Sequence, residues 1–168
     1  MIDTAPYQQC ECRRRASGKL HSLCGSELSL EENGKKVTLN LRSGEEAKAV
    51  VLDGCVFADS EMRCDAVYLF KGNNRKVAAL VELKGASGIA RAFEQLAYTK
   101  NRRKEYQELK EKLDEAGPGR LREMAFIVTN GMLSKPERER LENLYNIRVK
   151  EVLKSEAARK VPDLREYF

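Results

Sequence analysis

Two apolar segments joined by Asn73-Asn74 constrain this chain more than any other feature. Cys64-Asp65-Ala66-Val67-Tyr68-Leu69-Phe70 lies before the pair, and an apolar run inside Lys76 to Lys84 follows it. Asparagine tolerates positive φ, which a two-residue hairpin turn demands. A turn centred there fixes the register: Gly72 faces Arg75, Phe70 faces Val77 and Asp65 faces Glu82. Both faces of the hairpin are otherwise apolar, so it belongs inside a sheet covered on two sides.

The remaining elements follow from periodicity and turn chemistry. Leu20, Leu23, Leu28 and Leu30 predict a cysteine-containing helix over residues 10–32, closed by Asn33-Gly34. Lys36 to Leu41 alternates at period 2, and Ala47 to Leu52 is a further apolar strand stopped at Asp53-Gly54. After Lys84, Ser87 is a fitting N-cap for a helix of about seven turns that ends before Gly117-Pro118-Gly119. Ala125 to Thr129 reads as a short strand, Ser134-Lys135-Pro136-Glu137 as a capping box opening a helix, and Ile147 to Val152 as a last strand. The order is α-β-β-β-β-α-β-α-β, a mixed α/β domain. The expectation is one domain over residues 1–168, with a core over 36–152 and an ambiguous tail over 153–168.

Composition removes several chemistries. The single histidine, His21, excludes zinc hydrolases built on two or three histidines. There is no GxxxxGK[ST] loop and no GxSxG elbow. What remains is carboxylate-plus-metal hydrolysis. A net charge of +5 permits a polyanionic partner without demanding one. No stretch approaches the roughly 20 apolar residues of a membrane span, so no membrane partner is expected. The start of the chain lacks a basic-then-apolar signal pattern. The expected location is the cytoplasm, and the odd count of five cysteines there predicts reduced thiols. His21 offers a fourth ligand beside Cys10, Cys12 and Cys24, but the spacing fits no zinc pattern.

Chemistry concentrates at the open end of the hairpin. Asp65 and Glu82 are cross-strand neighbours, and Lys84, two residues on, shares the face of Glu82. Two facing carboxylates inside an apolar sheet need a cation or a shared proton. Asp65, Glu82 and the backbone carbonyl of Leu83 form the oxygen ligand set that Mg²⁺ or Mn²⁺ takes. Such a metal activates water and neutralises charge on a phosphodiester in flight, while Lys84 orients water and contacts the phosphate. The plain alternative is a buried ion triad at a hairpin end.

Asp65, sixteen residues and then Glu82-Leu83-Lys84 resemble the D…(D/E)xK signature of the PD-(D/E)xK nuclease superfamily. Asp53-Gly54-Cys55, Arg63-Cys64-Asp65, Val81 to Gly85 and Ala92 to Leu96 extend the likeness to small proteins of that superfamily, over roughly residues 36–150. The resemblance implies a restriction-endonuclease-like fold, a mixed central sheet flanked by helices, and Mg²⁺-dependent cleavage of DNA. It implies a water- or phosphate-positioning role for Gln95, with Tyr98 as its neighbour on the helix. The spacing Gln-x-x-Tyr departs from the Gln-x-x-x-Tyr of exonuclease-type members, and Cys64 stands where the family name has proline. It also implies a further acidic residue on the first helix, for which Glu27, Glu31 and Glu32 compete.

Arg91, Gln95, Tyr98 and Arg102 fall on one stripe of the predicted helix, and Arg103 adds charge beside it. That stripe is the expected DNA-tracking face, with a solvated helix surface as the alternative. With no separate sequence-reading domain, selectivity is expected from DNA structure, a homodimer or a partner protein. The second functional reading is a non-catalytic nucleic-acid-binding or protein-interaction module on the same fold.

Overall fold

The computed structural model describes residues 1–13 and 21–168. The hairpin organises it. Strand β5 (Ala66–Gly72) pairs antiparallel with β6 (Arg75–Lys84), with Gly72 opposite Arg75 and Phe70 opposite Val77 as the turn requires. Asn73 and Asn74 both hold positive φ, 52° and 58°. Strand β4 (Glu46–Val51) pairs antiparallel with β5, β7 (Arg120–Thr129) parallel with β6, and β8 (Glu151–Lys154) parallel with β7. The result is a mixed five-stranded sheet in the order β4-β5-β6-β7-β8.

Its two faces bury two separate cores. On one face pack α1 (Ile89–Arg102), α2 (Lys104–Glu115) and α3 (Lys135–Tyr145), through Phe93, Leu96, Tyr106, Leu109 and Leu141 against Val67, Leu69 and Leu80. On the other lie β1 (Cys24–Ser26), β2 (Ser29–Glu32) and β3 (Lys35–Thr38), which form their own antiparallel sheet. Leu30, Val37 and Leu39 meet Tyr68, Phe70, Val81 and Phe126 there. The sheet is thus covered on both sides, but among the described residues α-helices cover only one of them.

Three expectations are corrected. The helix predicted over 10–32 is absent among the described residues. Gln8–Cys10 make one short 3₁₀ turn, β1 and β2 follow, and residues 14–20 of that predicted helix lie outside the described residues. Asn33-Gly34, expected as a helix stop, is the turn joining β2 to β3, with φ of 49° and 78°. β3 consequently leaves the main sheet. Second, the thiols are not all reduced: Cys10 pairs with Cys55 and Cys12 with Cys24, at Cα separations of 5.7 and 5.6 Å, leaving Cys64 free and buried. Third, the long helix after β6 is broken at Arg103, which is extended (φ −98°, ψ 110°), and Gly88 rather than Ser87 caps its start.

The break has no glycine or proline to cause it; a side chain does. Arg103 is 4% exposed, with its guanidinium 3.9 Å from the Phe57 ring centre and in two hydrogen bonds to Asp59, at 3.0 and 2.7 Å. Gln107 Nε2 donates to the Lys100 carbonyl that the break leaves without a helical partner (2.6 Å). Arg103 is therefore a scaffold residue and not part of a DNA-tracking face. Arg103→Ala should lower stability by about 2 kcal/mol, measured by urea denaturation, through lost stacking and packing. A loss below about 0.5 kcal/mol, the range of ordinary surface changes, would contradict this account of the break.

The tail is ordered by long-range pairing. Arg165 makes a buried salt bridge to Glu45 (2.6 Å), Asp163 accepts from the Asn40 backbone N–H (3.0 Å), and Phe168 packs on Phe70. Ser134 Oγ accepts from the Glu137 N–H at the start of α3, which is half of the expected capping box, while the Glu137 carboxylate pairs with Arg140 (2.7 Å). Among the described residues, no helix is long and apolar enough to cross a membrane.

Candidate functional site

The hairpin register continues past the end of β5 and brings Asp65 against Glu82. Each carboxylate accepts a hydrogen bond from the other residue's strand. Asp65 N–H donates to Glu82 Oε2 (2.9 Å), and Leu83 N–H donates to Asp65 Oδ2 (2.8 Å). Both side chains are removed from solvent, Asp65 at 6% exposure and Glu82 at 1%. Lys84 Nζ stands 3.3 Å from Glu82 Oε1. A Cβ on Gly88 would lie 3.2 Å from Lys84 Cδ, so glycine at the foot of α1 leaves room for the lysine stem.

Burial sets the electrostatics. It pushes the Asp65 carboxyl up to about 7, against the lowering effect of the Leu83 N–H, and the charges of Glu32 and Asp53 push the same way. The Glu82 carboxyl is raised well above the carboxylate range, by burial first and then by the Asp65 charge; Lys84 acts in the opposite direction. Without a cation, the pair therefore retains a proton near neutral pH.

A cleft of about 510 Å³ opens onto Asp65, lined also by His21, Leu23, Glu31, Glu32 and Asp53. Of the three competing acidic residues, Glu31 and Glu32 reach this cleft, from strand β2 and not from a helix. Glu31 is paired with Lys36 (3.6 Å), while Glu32 is near enough to raise Asp65. Glu27 does not line the cleft. Asp53 is an addition that residue patterning does not single out as a site residue. Its signal is present all the same, since Asp53-Gly54 terminates β4 beside the start of β5. His21 lines the cleft too, its Nδ1 accepting from Leu23 N–H (3.2 Å).

Gln95 reaches the site region from α1. Its Nε2 donates to the Arg63 carbonyl (3.1 Å), and its Oε1 is buried without a partner among the described residues. Thr99, one turn further, accepts from Cys64 N–H (2.9 Å), so α1 holds the chain immediately before Asp65 at two points. Tyr98 donates to Glu61 (2.7 Å), tying it to the same loop. Arg91 and Arg102 are exposed.

The donor set fits a small divalent cation in chemistry. Each carboxylate commits one oxygen to a backbone N–H, and none of the hydrogen bonds among the described residues uses Asp65 Oδ1. Among the described residues, no three His, Cys, Asp or Glu side chains form a complete ligand cluster. A cation here would rest on Asp65 and Glu82 and take its other oxygens from backbone or water, as Mg²⁺ commonly does. Comparison with protein-family models, curated proteins and solved structures gives no match.

Proposed function

We propose that the chain is a Mg²⁺- or Mn²⁺-dependent phosphodiesterase acting on DNA, on a restriction-endonuclease-like variant of the mixed α/β fold. The observation that carries this reading is the buried Asp65–Glu82 pair with Lys84 beside it, of which Asp65 opens on an acidic cleft. Two buried carboxylates side by side are costly unless a proton or cation compensates them. A merely structural triad gives no reason for Asp65 to face a cleft lined also by Glu31, Glu32 and Asp53.

Asp65 and Glu82 would hold the cation, with Leu83 contributing its carbonyl. When bound, the cation supplies Lewis-acid charge to the phosphodiester and makes water a better nucleophile. Lys84 places a positive charge at the same point, where negative charge grows on the phosphate. Gln95 keeps its amide orientation through Arg63, leaving Oε1 as an acceptor for a proton on water. The acidic cleft would repel DNA on its own, so the cation also makes the approach of a phosphate favourable. Incubation of purified protein with plasmid or branched DNA, with Mg²⁺ or with EDTA, tests the reading. Nicking in Mg²⁺ alone supports it; intact DNA in both refutes it.

Arg91 and Arg102 remain the proposed phosphate-tracking residues of α1. In an Asp65→Asn background that binds without cutting, each of Arg91→Ala and Arg102→Ala should weaken binding to all sequences alike. Each should also lower the slope of log affinity against log salt by about one. An unchanged slope would mean the stripe is only a solvated face.

A further inference from the structure

Both disulfides stand at the walls of the acidic cleft, and the hydrolytic reading gives them no part. His21, Ser22 and Leu23 line one wall and run directly into Cys24, which is bonded to Cys12. Cys12 is itself fixed to the edge of β4, its N–H donating to the Ala49 carbonyl (2.8 Å). Asp53 and Gly54 also line the cleft and run into Cys55, which is bonded to Cys10. Apart from the disulfide, the first wall is held by Leu23, whose carbonyl accepts from the Glu31 N–H (2.8 Å), and by β1, three residues long, whose pairing with β2 is irregular.

We propose that the Cys10–Cys55 and Cys12–Cys24 bonds are a thiol–disulfide latch: oxidised, they hold the cleft walls around Asp65, and reduced, they release them. Cys55 is half-buried and the other three are buried, which makes Cys55 Sγ the point of entry. The reductant is a dithiol. One of its thiolates attacks Cys55 Sγ, the S–S bond breaks and Cys10 leaves as a thiolate that takes up a proton. The second thiol then displaces Cys55 from the mixed disulfide and becomes part of the reductant's own disulfide. Two electrons and two protons pass to the protein. Cys12–Cys24 follows by the same exchange once the wall loosens. The latch concerns the shape of the cleft; its effect on catalysis rests on the hydrolytic reading.

Amide hydrogen exchange on the full chain tests it, with and without dithiothreitol, followed by mass spectrometry of peptides covering 21–26 and 53–57. Reduction should speed exchange in both segments by roughly tenfold, while the core of β6 stays protected. Reoxidation should restore protection. Cys12→Ser with Cys24→Ser should exchange fast at 21–26 in either redox state; if that variant does not fold, the reduced parent protein gives the same comparison. Equal exchange in the two states overturns the latch, as does finding all five thiols free in denatured protein purified without reductant. If the walls open on reduction but DNA is never cut, the latch stands and the hydrolytic reading falls. If DNA is cut while exchange is the same in both states, the reverse holds.

Discussion

Asp65→Asn, Glu82→Gln and Lys84→Ala should each reduce metal-dependent DNA cleavage by roughly a hundredfold or more. The two carboxamides keep shape and volume. After Asp65→Asn the amide oxygen can still accept from the Leu83 N–H. After Glu82→Gln the amide oxygen can still accept from the Asp65 N–H, so the hydrogen bonds that close the hairpin end survive. What is lost is the charge that would hold a cation. Lys84 is different: its ammonium lies 3.3 Å from Glu82, and its loss removes positive charge at the phosphate while leaving both carboxylates. Lys84→Ala should therefore keep most divalent-ion affinity and lose rate, whereas the carboxamides lose both. Cleavage by all three at the parent rate would show that the site lies elsewhere.

Stability against pH should reveal the same pair without DNA. The Asp65 carboxyl is pushed up to about 7 in the folded protein, against an ordinary value of 3.8. Between those values the folded state keeps a proton that the unfolded chain has released. Through this group unfolding is favoured by rising pH, and its own contribution to stability falls from about pH 4 until about pH 7 and is flat above it. The contribution of this one group is on the order of 4 kcal/mol. Other carboxylates, such as Glu45 beside Arg165, are lowered and act oppositely in acid. The informative quantity is therefore the difference between Asp65→Asn and the parent protein. The variant should gain relative stability as pH rises through that window, measured by urea denaturation between about pH 4 and pH 8. Saturating Mn²⁺ should close the gap at the alkaline end by stabilising the parent. A difference independent of pH would mean that Asp65 ionises as an ordinary carboxyl.

The hairpin and the site at its end are legible in the sequence because their determinants are local. Turn chemistry at Asn73-Asn74 fixes the register, and the register alone places Asp65 beside Glu82. The N-terminal third misleads for the opposite reason. Leucine spacing there imitates a helix, but β2 is fixed by pairing to β3, and β1 by pairing to β2 and by a bond from Cys24 to Cys12. Asn33-Gly34 carries the strongest short hairpin signal in that region, yet beside a leucine-spaced segment it reads equally as a helix end. β7 begins five residues before its apolar run, since Arg120 to Met124 pair with Arg75 to Ala79 in spite of their charge. The break at Arg103 depends on Phe57 and Asp59, more than forty residues away, and no pattern local to the helix contains it. Glu32 and Asp53 join the site through the same kind of long-range packing.

The hydrolytic proposal requires that Asp65 and Glu82 together form a divalent-cation site. Counting bound Mn²⁺ by electron paramagnetic resonance above the Asp65 titration, in the parent protein and in Glu82→Gln, tests it most directly. The parent should bind Mn²⁺, with protons released on binding, and Glu82→Gln should lose that affinity. Equal Mn²⁺ binding by the two proteins, or none by either, would contradict it.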